Sequence, residues 1–159
     1  MESNERYRKD GTLLHSCSYK DGKLHGESKA YFRNGQVASE TSFVDGKREG
    51  EARFYNQQGG LVKQLVFKGG LCNGPQRFYS KNGQLLCEIP YVVGVISGTI
   101  VLYYPDGTVR RQVELVQGKR EGLDCLYTPE GVLQFALEYA DGSFIKAQVE
   151  DPIAKMYHL

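Results

Sequence analysis

Glycine recurs in this chain at a fixed interval of 24 residues, and that interval limits the fold more than any other feature. Gly11, Gly35, Gly59, Gly83, Gly107 and Gly131 form one column, and Gly22, Gly46, Gly70, Gly94, Gly118 and Gly142 a second. Gly26, Gly50, Gly74, Gly98 and Gly122 form a third. Between the glycines stand Tyr7, Tyr31, Tyr55, Tyr79, Tyr103 and Tyr127, then Tyr19, Phe43, Phe67, Tyr91, Leu115 and Tyr139, again 24 apart. Five such columns are an internal repeat, and a short repeat is one supersecondary unit that buries its surface only by stacking on its neighbours.

The unit is a pair of strands with two turns. Arg33-Asn34-Gly35, Lys81-Asn82-Gly83 and Pro105-Asp106-Gly107 read as hairpin turns, because Asn-Gly and Asp-Gly supply the positive φ that tight loops need. Either a two-residue loop or a three-residue loop with Gly in the left-handed region fits them, and the two give different cross-strand registers. Strands flank the turn. Glu51-Ala52-Arg53-Phe54-Tyr55 precedes one, and Leu85, Ile89 and Tyr91 follow another with the even spacing of a single sheet face. Asp45-Gly46-Lys47-Arg48-Glu49-Gly50 and Gln117-Gly118-Lys119-Arg120-Glu121-Gly122 then close their units as second turns.

Two strands and two turns per unit, with no helical period inside, predict an all-β fold: an elongated single-layer antiparallel meander of about a dozen short strands. The six units occupy residues 1–143, at about 1–25, 26–49, 50–73, 74–97, 98–121 and 122–143. Residues 144–159 leave the period. They carry Phe144, Ile145, Val149, Ile153, Met156 and Tyr157, and Asp151-Pro152 can open a short helix, so they are expected to cap the last unit.

The chain offers little chemistry beyond this scaffold. Twenty basic and nineteen acidic residues leave a formal charge of +1, so no global field holds a nucleic acid. No stretch has the length of a signal peptide or a membrane span, which predicts a cytoplasmic protein. Cys17, Cys72, Cys87 and Cys125 are scattered, and reduced thiols are expected. His15, His25 and His158 show no metal-ligand spacing, and each Asp-Gly-Lys turn has one carboxylate where a calcium loop needs several. No nucleophile with a base, phosphate-cradling loop or zinc motif is present, so neither enzyme activity nor a cofactor is expected.

Units of the form G-x-x-x-x-Y-x-x-N-G followed by x-V-x-x-x-x-x-F-x-D-G-K-x-x-G resemble MORN repeats. Residues 26–50 (GESKAYFRNGQVASETSFVDGKREG) and 98–122 (GTIVLYYPDGTVRRQVELVQGKREG) show this best, and the likeness spans about residues 7–142. It is closest to the variant MORN repeat of bacterial antitoxin and immunity proteins of the YwqK type. That resemblance implies a protein that offers one face of an elongated sheet to a partner protein, and specifically one that neutralises a toxin. MORN repeats of eukaryotic proteins also associate with membranes, but this chain has no Trp and lacks the Y-x-G-x-W core. A structural scaffold or localisation module with membrane contacts is the alternative role.

Departures from the pattern indicate where a partner would dock. In units three and four the second turn reads Gly69-Gly70-Leu71-Cys72-Asn73-Gly74 and Val93-Gly94-Val95-Ile96-Ser97-Gly98. Leu71, Cys72, Val93, Val95 and Ile96 thus replace charges, two strand spacings or about 10 Å apart, flanked by the polar turns of units two and five. These five residues are the expected partner-binding site. Burial of the same loops under the tail or under a second copy would equally explain their composition. The column Lys29, Arg53, Arg77, with Glu27 and Glu51 nearby, is expected to form cross-strand ion pairs on a solvated face.

Overall fold

A computed structural model describes residues 2–148 and contains fifteen strands in one antiparallel sheet. They are β1 (Glu2–Tyr7), β2 (Leu13–Lys20), β3 (Lys23–Tyr31), β4 (Val37–Val44), β5 (Lys47–Tyr55), β6 (Leu61–Lys68), β7 (Leu71–Cys72) and β8 (Gly74–Tyr79). Then follow β9 (Leu85–Val92), β10 (Val95–Ile96), β11 (Gly98–Tyr103), β12 (Val109–Val116), β13 (Lys119–Tyr127), β14 (Leu133–Ala140) and β15 (Ser143–Gln148). Each strand pairs with the next in sequence, except that the two-residue β7 and β10 pair back with β6 and β9. The predicted all-β, single-layer meander is what the chain forms.

The first turn is the three-residue form. Gly35 N–H donates to Phe32 C=O (3.1 Å), Phe32 N–H donates to Gln36 C=O (2.8 Å), and Gly35 sits at φ 83°. Asn34 caps the loop by accepting from Gln36 N–H at 3.1 Å. The second turn is a two-residue loop with positive φ at both central positions, as at Asp45 (49°) and Gly46 (83°). Its flanking residues Val44 and Lys47 pair directly. The third glycine column lies where the register shifts between the two strands that this turn joins, and Gly50 has φ 77° there.

With one layer, the sheet buries few side chains. Among the described residues, Cys17, Ala52, Phe67, Gln76, Asp124, Cys125 and Ala136 are buried. One face carries Phe43, Leu65, Phe67, Phe78, Ile89, Leu102 and Leu137, mostly half-buried against one another. The opposite face carries the tyrosine column. Tyr55 Oη bonds Glu40 (3.0 Å), Tyr79 Oη bonds Gln64 (3.3 Å) and Tyr127 Oη bonds Gln112 (3.1 Å), each reaching the preceding unit. Burial first, and the Glu40 carboxylate second, raise the Tyr55 pKa. The predicted ion pairs are on this face: Lys29 lies 3.3 Å from Glu27 and 3.4 Å from Glu40, and Arg77 2.6 Å from Glu88.

Buried polar side chains lie at two of the register shifts, and Gln76 repairs its own. Gln76 Oε1 accepts from Val66 N–H (3.1 Å), and its Nε2 donates to Val66 C=O (3.1 Å) and Gly74 C=O (3.0 Å). Its amide thus substitutes for a missing strand residue. One period later the matching positions are Pro90 and Ile100; Pro90 has no N–H to satisfy, so an apolar side chain fits. Another period on, Asp124 is fully buried and takes a two-pronged bond from Arg111 (2.7 Å to each oxygen).

The cap expected at 144–159 begins differently. Residues 144–148 belong to β15, which pairs antiparallel with β14 and sets Phe144 edge-on to Tyr139 at 5.9 Å. The open backbone groups of β14 are satisfied by another strand, which is the general requirement of a sheet edge. The helix expected from Asp151-Pro152 lies outside the described residues.

Candidate functional site

The second turns of successive units stack into a continuous rim along one side of the sheet. Gly46 N–H donates to Leu24 C=O (2.8 Å), Gly70 to Arg48 (2.9 Å), Gly94 to Cys72 (2.8 Å), Gly118 to Ile96 (2.7 Å) and Gly142 to Arg120 (2.9 Å). Side chains add a second ladder. Glu49 accepts from Gly69 N–H (2.7 Å), Asn73 from Val93 N–H (3.1 Å) and Glu121 from Asp141 N–H (2.6 Å). The column His25, Glu49, Asn73, Ser97, Glu121 is therefore a set of acceptors locking each turn to the next. Its period of 24 was visible in the sequence, but its role depends on which backbone group lies opposite.

On this rim the five residues expected to bind a partner separate onto two faces. Leu71 and Val95 pair with Lys68 and Val92 on the tyrosine face, and Val93 protrudes from the turn between Val92 and Val95. Cys72 and Ile96 pair with Phe67 and Tyr91 on the opposite face, and both are half-buried. Cys72 lines a shallow groove there with Leu65, Phe78, Ile89 and Tyr91. One apolar patch from all five residues, as the sequence suggests, does not form: adjacent residues in a strand point to opposite faces.

The exposed cluster instead recruits residues that the reading of the turns passed over. Val92, Val93, Val95 and Val116 line one groove, with Ser97 and Gln117 at its polar margin. Leu71 lies beside it, because a Cβ placed on Gly94 would meet Leu71 Cδ2 at 3.6 Å. Each of these apolar side chains is at least 45% exposed, far more than packing within one sheet requires. The column Lys20, Val44, Lys68, Val92, Val116 at the period of 24 is the signal that finds Val92 and Val116.

Val93 is also held against its preference. It sits at φ 49°, where units one, two and six place Asp. A β-branched residue in the left-handed region is an outlier, and one that is 65% exposed has almost no packing to offset the strain. The site is otherwise chemically plain. No group of three or more His, Cys, Asp or Glu could hold a metal ion among the described residues. Cys87, half-buried, has its thiol pKa raised by burial. The Lys29 pKa is raised by its pairing with Glu27 first and Glu40 second, which marks structural ion pairs.

Fold and rim together define an open single-layer β-repeat protein with an exposed apolar strip along its turn edge. Two segments, residues 24–45 and 73–92, match the MORN repeat variant family, and the two windows lie in the same repeat frame. No curated protein matches the chain.

Proposed function

We propose that this chain is a protein-binding module without catalytic activity, and that the turn rim is where its partner docks. The carrying observation is the exposed cluster of Leu71, Val92, Val93, Val95 and Val116, with one member kept in a strained backbone conformation. Apolar side chains standing in water add little to the stability of the sheet, whereas an apolar centre with a polar margin suits a protein interface. The finer reading is that of an antitoxin or immunity protein, cytoplasmic, that masks the active surface of a toxin.

Crosslinking the wild-type chain and a Val92→Lys/Val95→Lys variant in the source cell tests the binding role. Lysine is accepted at the corresponding Lys68 and Lys47, so the variant should fold, and Ile96 is left unchanged because it faces the other way. Loss of one crosslinked protein partner from the variant is expected; equal crosslinking by both chains would refute the rim. Co-expression with a toxin-like neighbouring gene tests the finer role, which fails if growth is not rescued.

A further inference from the structure

The rim changes character once along its length. Its exposed residues are the cross-strand pairs that flank the second turns, one residue to a strand, with β8 and β11 continuing β7 and β10. From β2 to β6 they are Lys20, Lys23, Val44, Lys47 and Lys68. Leu71, on the strand after Lys68, opens a second set that runs on through Val92, Val95 and Val116. Neighbours in this order meet across the turns: a Cβ on Gly94 would touch Leu71 Cδ2 at 3.6 Å, and one on Gly118 would touch Val95 Cγ1 at 3.8 Å. The basic set spans four strand spacings, about 19 Å, and the apolar set three, about 14 Å.

Lys20, Lys23, Lys47 and Lys68 are exposed and have no carboxylate partner among the described residues, whereas Lys29, Lys119 and Lys146 each pair with Glu or Asp. The turns between the four carry Asp21 and Asp45, the latter 3.4 Å from His25, so this stretch keeps an excess of positive charge. The row is also narrow. Two residues back along the first strands stand Ser18, Ser42, Val66 and Pro90, all half-buried, so whatever lies along the rim meets a track about 7 Å deep. An α-helix, about 10–12 Å across with its side chains, overhangs such a track, and an extended segment fits it.

Resting on the reading that the chain binds protein, we propose that the rim receives an extended segment of the partner in which an acidic block adjoins an apolar block. The acidic block lies over Lys20, Lys23, Lys47 and Lys68, and the apolar block over Leu71, Val92, Val95 and Val116. At about 3.3 Å per residue the two blocks take about six and about four residues. Unpaired lysines draw the acidic end by charge complementarity, and the exposed apolar side chains hold the other end by burial.

Fluorescein-labelled Asp-Glu-Asp-Glu-Asp-Glu-Leu-Val-Leu-Val and the same peptide with its blocks exchanged, titrated with the full chain and read by fluorescence anisotropy, test this for both chain directions. The tighter of the two should bind about tenfold better than a peptide of the same composition with acidic and apolar residues interspersed, and should weaken as salt rises. Lys20→Glu/Lys68→Glu should weaken it about tenfold and remove most of its salt dependence. Val92→Ser/Val95→Ser should also weaken it about tenfold but leave the salt dependence in place, with circular dichroism and melting showing that both variants fold. Equal binding of blocked and interspersed peptides, indifference to either variant, or an absence of binding overturns the proposal. So does Val92-dependent binding to phosphatidylserine vesicles without peptide binding, which would make the rim a membrane contact. If rim-dependent crosslinking of a protein persists while the peptide series fails, only the two-block inference falls; if that crosslinking is absent, the binding role falls with it.

Discussion

Replacing Val93 with Asn should stabilise the protein, although it removes apolar surface. A non-glycine residue in the left-handed region costs roughly 1–2 kcal/mol, and Asn avoids much of that by tolerating the conformation. Val93 is 65% exposed, so only about a third of the roughly 1.5 kcal/mol available from burying a valine is lost, about 0.5 kcal/mol. The backbone bond from Val93 N–H to Asn73, at 3.1 Å, does not depend on the side chain. The net gain is about 0.5–1.5 kcal/mol, equivalent to a rise of about 1–6 °C in melting temperature at this size. Differential scanning fluorimetry and urea unfolding would measure it, with Asp45→Val in unit two as the reciprocal loss. A Val93→Asn protein that melts at or below the wild type would show that the strain is offset by contacts on the rim, and would undo the reading of Val93 as kept for binding.

Gln76→Leu should cost about 2 kcal/mol or more in urea unfolding, because it strands the N–H and C=O of Val66 at a buried register shift; a loss below about 0.5 kcal/mol would contradict the repair role. Arg111→Leu should cost about 3 kcal/mol by leaving the buried Asp124 without its two-pronged partner, while adding Asp124→Ile, the residue type at position 100, should recover most of it. Additive losses in that double mutant would show that the pair is not coupled. Asp106 accepts bonds from the hydroxyl (2.6 Å) and N–H (2.9 Å) of Thr108, which lower its pKa. Its stabilising contribution is then complete above the unfolded carboxylate value of about 4 and is lost as pH falls through the lower folded value, so Thr108→Val should flatten the melting temperature below about pH 4. An unaltered acid profile would argue against it.

What the sequence alone determined was everything carried by the period. Glycine, Asn-Gly and Asp-Gly at 24-residue intervals require turns wherever they occur, because few other residues accept positive φ, and strands follow from the alternation between them. The meander, its single layer and the ladder of tyrosines and ion pairs were therefore legible from residues such as Gly35, Tyr55 and Arg77. The site was only half legible. Leu71, Val93 and Val95 stood out as apolar substitutions in polar turns, but Cys72 and Ile96 stood out equally, and only the pairing of β6 with β7 and β9 with β10 assigns them to the other face. Val92 and Val116 looked like ordinary strand ends until the two-residue second turn put them beside Val95. The repair by Gln76 could not be read at all, since it depends on a register shift that leaves one Val66 amide facing it across the sheet. Turn chemistry is local and written residue by residue, whereas face and register are set by the neighbouring strand, so they exist only once the strands have paired.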